Sequence, residues 1–316
     1  MRIAAKEFNV AKGERPKVLF LGNGICRAYS GESWNNFLDE IKDKKKFPEK
    51  AENYELPMPL KAAMLADGKL AERMREQRKN KFDSFACCTS DLQVAINRLA
   101  DLGFDYILTT NYSYEIEAAL MNKSPLNEND IKKLMTTTGV DNPQTKYLIN
   151  TFNLTGNNQV WHIHGEIRKP DSMIICQYYY GNLLFYYKNY FDKNEPRYKK
   201  LMNKNEPVEF NSWLDAFIFG DVYFMGFGLD FSETDLWWLL ERKYNTESHG
   251  RTVFFNPIKN RKPREKGNIP EDACKQYLLN TYEVTSKNFN FEINCNEDYK
   301  DFYEKVYVYL RRTTHE

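Results

Sequence analysis

Asn111 and His164 are the two side chains best placed in this chain to do chemistry. Asn111 ends the run Ile107-Leu108-Thr109-Thr110-Asn111, and His164 ends Trp161-His162-Ile163-His164 just before Gly165. Each stands where an apolar, strand-like run gives way to a polar tip, and in an open α/β sheet ligands bind in the crevice beyond the carboxyl ends of the strands. A short amide there can donate to and accept from a ribose hydroxyl or an attacking water. An imidazole with an unperturbed pKa of about 6.5 is largely neutral at pH 7 and can take a proton. The structural alternative for Asn111 is a helix cap for the segment that begins at Tyr112.

Two glycine turns share this design. They follow Val18-Leu19-Phe20-Leu21 as Gly22-Asn23-Gly24, and Val222-Tyr223-Phe224-Met225 as Gly226-Phe227-Gly228. Glycine lets a backbone approach a pyrophosphate, whose charge is stabilised by the N–H groups that open the next helix. Taken alone, Gly22-Asn23-Gly24 reads rather as a tight strand-to-helix turn, because it lacks the third spaced glycine of a dinucleotide fingerprint. Asp235 can favour the first turn of its own helix. Asn256, after Phe254-Phe255, can bind a ligand or make a turn.

His162 and His164 are two residues apart, so on a strand they face the same side and could share a metal ion. A third ligand is lacking, since His249 and His315 stand in no matching motif. The six cysteines, Cys26, Cys87, Cys88, Cys176, Cys274 and Cys295, show no Cys-x-x-Cys spacing. We therefore expect no metal and no disulfide framework. His162 reads as a packed or hydrogen-bonding neighbour.

Five segments must position these residues, and all read as strands of a parallel sheet: Lys17 to Leu21, Asp105 to Thr109, Gln159 to Ile163, Val222 to Gly226 and Thr252 to Phe255. They are short, apolar and bounded by glycine, asparagine or proline, as strands buried on both faces are. Helical patterns separate them, notably Glu115 to Met121 and Thr234 to Arg242, and such alternation marks βαβ units. Glu32 to Leu102 interrupts the alternation with helical stretches at Pro59 to Arg78 and Phe85 to Leu102, and reads as a helical insertion. Gln177 to Pro207, holding Tyr178-Tyr179-Tyr180 and Phe185-Tyr186-Tyr187, reads as a second helical excursion whose aromatics serve core or interface. Asp298 to Arg312 reads as a closing helix with Phe302, Val306, Tyr309 and Leu310 facing inward. Residues 1–316 then make one α/β domain, a Rossmann-like parallel sheet with helical insertions at 32–102 and 177–207.

The ordered set Gly22-Asn23-Gly24, Thr109-Thr110-Asn111, His164-Gly165, Gly226-Phe227-Gly228 and Phe254-Phe255-Asn256 resembles the sirtuin NAD-binding core. It is most similar to the sirtuin-like NAD hydrolases of bacterial anti-phage defence, over residues 17 to about 30 and 104 to about 260. The resemblance implies that Asn111 contacts the nicotinamide ribose and orients the reactive carbon, and that His164 is the base near the ribose hydroxyls. It implies that Gly22, Asn23, Gly24, Thr110, Gly226, Gly228, Asp235 and Asn256 hold the rest of NAD+. Ser113 replaces the family aspartate that binds the nicotinamide carboxamide and can still hydrogen-bond that amide as a cofactor-binding residue, and Asn23 and Cys26 depart from the sirtuin Gly-Ala-Gly-Ile-Ser. There is no four-cysteine zinc ribbon.

The implied activity is NAD+ glycohydrolysis to nicotinamide and ADP-ribose by a defence effector that depletes NAD+. The alternatives are an NAD-dependent protein deacylase, against which the missing zinc ribbon stands, and a silent nucleotide-binding sensor or scaffold, which Ser113 favours. With no separate sensor legible, regulation is expected from a homo-oligomer or a companion defence protein. Forty-five basic against forty-four acidic side chains give a net charge of +1, which recommends neither nucleic acid nor an anionic membrane as partner. No apolar run approaches the ~20 residues that span a bilayer, and the amino terminus lacks the apolar core of a secretory signal. A cytoplasmic protein is expected.

Overall fold

The computed structural model describes residues 7–30, 56–66, 72–73, 76, 86–137, 146–203, 207–259, 271–291 and 298–313. The first half holds β1 (Glu7–Phe8), β2 (Lys17–Leu21), α1 (Asn23–Ser30), α2 (Met58–Ala66), α3 (Ser90–Ala100), β3 (Tyr106–Thr109), α4 (Glu115–Leu120) and α5 (Glu128–Leu134). Next come β4 (Met135–Thr137), β5 (Thr151–Thr155), β6 (Asn158–His162), α6 (Gln177–Asn203), β7 (Val208–Glu209), α7 (Trp213–Phe219) and β8 (Asp221–Met225). The chain closes with α8 (Thr234–Tyr244), β9 (Thr252–Lys259), α9 (Glu271–Thr281), β10 (Val284–Phe291) and α10 (Tyr299–Thr313).

Eight strands form one sheet in the order β10-β9-β8-β2-β3-β6-β5-β4. The six from β10 to β6 are parallel, and β5 and β4 add an antiparallel edge. Among the parallel strands the order is the doubly wound Rossmann one. The chain runs outward from β2 through β3 to β6, then returns to the other side of β2 as β8. The topological switch point therefore lies between the carboxyl ends of β2 and β8, where this fold opens its ligand crevice.

Period-two alternation divides the strand residues between two cores. Leu19, Leu21, Ile107, Val160 and Met225 pack on one face with α1, α3, α4 and α10. Val18, Phe20, Leu108, Trp161 and Phe224 pack on the other with α6, α7 and α8. Phe20 is fully buried, with Phe224 and Phe227 each at 4.7 Å between ring centroids. Burial of one such side chain contributes about 1.5–3 kcal/mol. Both faces are covered, which is why these strands read as continuous apolar runs rather than alternating ones.

The five expected strands are all present, within a residue or two at most ends; β9 runs on to Lys259. The helix expected over Pro59 to Arg78 is described from Met58 to Ala66, and much of the remainder lies outside the described residues, as do 32–55 and Phe85. α3 begins on a Thr89 cap and buries Leu92, Ile96 and Leu99. The expected excursion at 177–207 is one 27-residue helix as far as Asn203. Its aromatic stretch is mostly core: Tyr180, Leu183, Tyr187 and Phe191 recur at helical spacing and are buried, while Tyr178 and Phe185 are 73% and 66% exposed. In α10, Phe302, Val306 and Leu310 are buried and Tyr309 half-buried. Among the described residues no helix is long and apolar enough to cross a membrane.

Candidate active site at the strand tips

The tips of β2, β3, β6 and β8 lie side by side, and each contributes a turn. Beyond β3, the buried Asn111 donates from its backbone N–H to Thr109 Oγ1 (3.1 Å) and from Nδ2 to Cys26 Sγ (3.4 Å). Its Oδ1 is buried without a hydrogen-bond partner. An orphaned acceptor costs about 1–3 kcal/mol, so one end of this amide is left for a ligand hydroxyl or a water. The flanking Thr110 and Tyr112 both line a pocket of about 120 Å³.

His164 follows β6 and lines the same pocket. Its Nε2 lies 2.7 Å from Oδ2 of Asp235, which is fully buried in the first turn of α8. A carboxylate only accepts, so Nε2 carries a hydrogen, and in the neutral form of the ring the lone pair sits on Nδ1. Tyr180 from α6 meets the imidazole edge-on at 5.5 Å. The second oxygen of Asp235, Oδ1, has no partner. His164 and Asp235 thus pair an imidazole with an orienting carboxylate, the arrangement that fixes tautomer and stabilises an imidazolium in nucleophile–base–acid triads.

Asp230, Ser232 and Glu233 line the pocket beside His164, and Met58, Pro59 and Ala62 of α2 form an apolar wall. Burial, reinforced by the negative charge of Asp235 and opposed by His164, raises the Glu233 carboxyl to about 7. Asp230 and, once ionised above about pH 7, Glu233 give the pocket lining an acidic character, backed by Asp235 behind His164, that suits a positively charged ligand group.

The glycine turns touch each other. Gly22 N–H donates to the Met225 carbonyl (2.8 Å) and Gly24 N–H to the Gly226 carbonyl (2.9 Å). A Cβ at Gly22 would lie 2.5 Å from the Gly226 oxygen, and one at Gly24 would lie 2.6 Å from it and 2.7 Å from the Tyr303 hydroxyl. Gly226 itself has φ +78°. Close packing of two turns at the switch point therefore accounts for these three glycines, and the two amides of the first turn are spent on that contact. Asn23 opens α1 and is half-buried. Gly228 would meet nothing within 4 Å on gaining a Cβ, and its carbonyl accepts from Lys275 Nζ (2.5 Å).

Two further expected positions lie apart from the pocket. Ser113 donates to the Glu115 carboxylate. Asn256 Nδ2 donates to Asn288 Oδ1 (3.1 Å), its register partner on β10. Of the expected set, the pocket gathers Thr110 and His164, with Asp235 behind the histidine and Asn111 between two lining residues.

His162 does not face the pocket with His164. Its ring is buried between the Asn111 carbonyl and Glu117, and among the described residues no group of three or more His, Cys, Asp or Glu gathers as for a metal ion. Sequence reasoning missed Glu117, Glu233 and Tyr180. The available signals were a second acid in Glu115-Ile116-Glu117 ahead of an apolar helix, and three carboxylates within Asp230 to Asp235.

No curated protein matches the chain. The family model of the SIR2-like domain matches residues 105–266, which run from β3 to beyond β9 and make up just over half of the chain. It carries both strand tips, the dyad and the second glycine turn, and the chain belongs to the SIR2-like family.

Proposed function

We propose that this SIR2-like domain takes NAD+ as substrate and hydrolyses the bond between nicotinamide and ribose, releasing nicotinamide and ADP-ribose. The observation that carries the reading is the buried His164–Asp235 pair, whose histidine lines a pocket beside Asn111, a residue whose side-chain oxygen lacks a partner. Such a bond breaks through an oxocarbenium-like state, so the protein has to stabilise developing positive charge and deliver a nucleophile. Asn111 would orient a water or a ribose hydroxyl. His164 would take its proton at Nδ1, with Asp235 stabilising the resulting imidazolium. Asp230 and Glu233 supply negative potential where positive charge sits in the substrate and grows in the transition state.

The turns at Gly22, Asn23, Gly24, Gly226 and Gly228 would border the remainder of the dinucleotide at the switch point, with Thr110 near the ribose and Asn256 toward the adenosine. Since Gly22 and Gly24 already donate to the β8 turn, their part in that path is shape rather than amide donation. Ser113 would reach the carboxamide only by leaving Glu115. The same reading takes residues 1–316 as one domain in which 32–102 and 177–207 are helical additions. We also propose that it serves as a defence effector gated by self-assembly or by a companion protein, because an ungated NAD+ hydrolase would deplete its own cell. One pocket wall comes from α2, within the 32–102 addition, so movement of that segment would open or spoil the site.

Product analysis tests the reaction. The purified chain with NAD+, at several protein concentrations and with and without an acetyl-lysine peptide, is expected to give equimolar nicotinamide and ADP-ribose, peptide-independent and rising more than in proportion to protein. Deacylated peptide would point to the deacylase, and no product at any concentration would contradict hydrolysis. A monomer with full, concentration-independent turnover would remove the gating.

A further inference from the structure

Behind Asn111 lies a polar network that the reaction above does not use. His162 ends β6 and is 2% exposed. Its Nδ1 lies 2.6 Å from the Asn111 carbonyl oxygen, and its Nε2 lies 2.7 Å from Glu117 Oε1. Carbonyl and carboxylate oxygens both accept, so both ring nitrogens must donate, and the ring must be an imidazolium. Glu117, fully buried on α4, also accepts from Asn153 Nδ2 of β5 at 2.8 Å, and its Oε2 has no partner.

A buried ion pair is a poor way to gain stability, because desolvating two charges offsets much of their attraction. A chain of contacts from Asn153 on β5 through Glu117 on α4 to His162 on β6 nevertheless ends here on a single backbone carbonyl, that of the residue carrying the orphaned amide. We propose that the Glu117–His162 pair is a positioning device: its doubly donating ring fixes the Asn111 carbonyl and thereby aims the Asn111 side chain at substrate. The proposal rests on the reading of Asn111 as a substrate-touching group.

The clamp has a pH signature. The groups facing the ring are Glu117, Glu166, which pairs with Arg168 at 2.9 Å, the Tyr114 ring at 5.6 Å and the Asn111 carbonyl. Burial opposes the charged ring, but Glu117, then Glu166 and the carbonyl, outweigh it and hold its pKa up at about 9. In the folded chain the ring stays charged, and the clamp complete, while the pH is well below about 9, and the clamp is lost as pH rises through about 9; the stability it adds is full only below about 6.5, the unfolded value. kcat should therefore fall on an alkaline limb while KM changes little.

Glu117→Gln keeps the shape and removes the charge; Asn153 Nδ2 donates to the Oε1 position and holds the amide oxygen there, so a neutral ring keeps its one hydrogen on Nε2 and loses its bond to the Asn111 carbonyl. The expected result is a kcat at pH 8 lowered roughly tenfold or more, as misplacement of a reacting group costs, with KM within about twofold and the alkaline limb displaced to lower pH. The double variant Glu117→Gln/His162→Asn retains a non-titrating donor near the Nδ1 position. It should recover part of kcat and lose the limb, and it also covers the case in which the single variant folds poorly. Imidazole ¹⁵N NMR without NAD+ reads the clamp itself: at pH 8 both His162 nitrogens should be protonated in the wild type and only one in Glu117→Gln. A wild-type pH profile and kcat in folded Glu117→Gln would overturn the proposal. A neutral ring beside normal NAD+ cleavage would overturn the clamp alone, whereas an imidazolium in a chain that never cleaves NAD+ would overturn the reaction and the positioning role with it.

Discussion

Asp235→Asn is the most exacting perturbation of the dyad, because it changes charge and hydrogen-bonding sense while keeping volume. Asp235 accepts at 2.7 Å from His164 Nε2, and its other oxygen has no partner, so nothing else dictates which way an amide would turn. With its oxygen toward the ring, the substituted amide would preserve the tautomer but exchange a charged hydrogen bond for a neutral one, weakening support for the imidazolium by about 1–2 kcal/mol, or roughly tenfold in rate. With its NH2 toward the ring it would force the hydrogen onto Nδ1 and remove the base; in the Ser-His-Asp template the equivalent change lowers turnover about 10⁴-fold. We therefore expect kcat to fall between about tenfold and about 10⁴-fold, according to the orientation the amide takes. KM should hold, since Asp235 is not among the residues lining the pocket. Removing a buried charge with one unsatisfied oxygen offsets the lost bond, so stability should change by no more than about 1 kcal/mol. Nicotinamide release measured by chromatography, beside a thermal melt, checks both parts. A folded Asp235→Asn within a few-fold of wild-type kcat would refute the dyad.

Gly24→Ala should cost at least about 1–3 kcal/mol, because its Cβ would lie 2.6 Å from the Gly226 oxygen, whereas Gly228→Ala, with open space around it, should stay within about 1 kcal/mol; denaturant melts of the pair test this, and equal losses would contradict the packing role of the first turn. Glu233 has its carboxyl raised to about 7, so its ionisation opposes folding, fully above that pH and not at all below its unfolded value of about 4.3. Glu233→Gln should accordingly raise Tm at pH 8 but not at pH 4, and a Tm gain of the same size at both would argue against a perturbed carboxyl. Chelator should leave NAD+ turnover unchanged, and elemental analysis finding one zinc per chain would speak against the metal-free reading.

The central strands were legible because burial on both faces leaves nothing but apolar residues between polar tips, as in Lys17 to Leu21. β10 was not, because it lies at the sheet edge, where Val284-Thr285-Ser286-Lys287-Asn288-Phe289 mixes polar and apolar residues. β4 and β5 escaped for a similar reason, with Thr136, Thr137, Thr151, Asn153 and Thr155 among their few residues. Asn111 and His164 could be picked out because a polar residue at the end of an apolar strand is conspicuous. The partner of His164 could not: Asp235 lies 71 residues on, and only the return of the chain across β2 to β8 carries α8 to the tip of β6. Gly22-Asn23-Gly24 shows the limit of motif reading. The same glycines suit a phosphate cradle and a tight turn, and only the adjacency of β2 and β8 reveals that they face another backbone. Glu117 was hidden because an acid in the first turn of a short helix looks solvated until the neighbouring strand puts a histidine against it.

The most direct test of the account compares wild type, Asn111→Ala and His164→Ala in one experiment that measures NAD+ binding by calorimetry and nicotinamide release by chromatography, with a thermal melt to establish folding. If the two strand tips do the chemistry, both variants remain folded, bind NAD+ within about tenfold of wild type and lose ~10²-fold or more in kcat. A folded His164→Ala or Asn111→Ala chain that releases nicotinamide at near the wild-type rate would contradict the account.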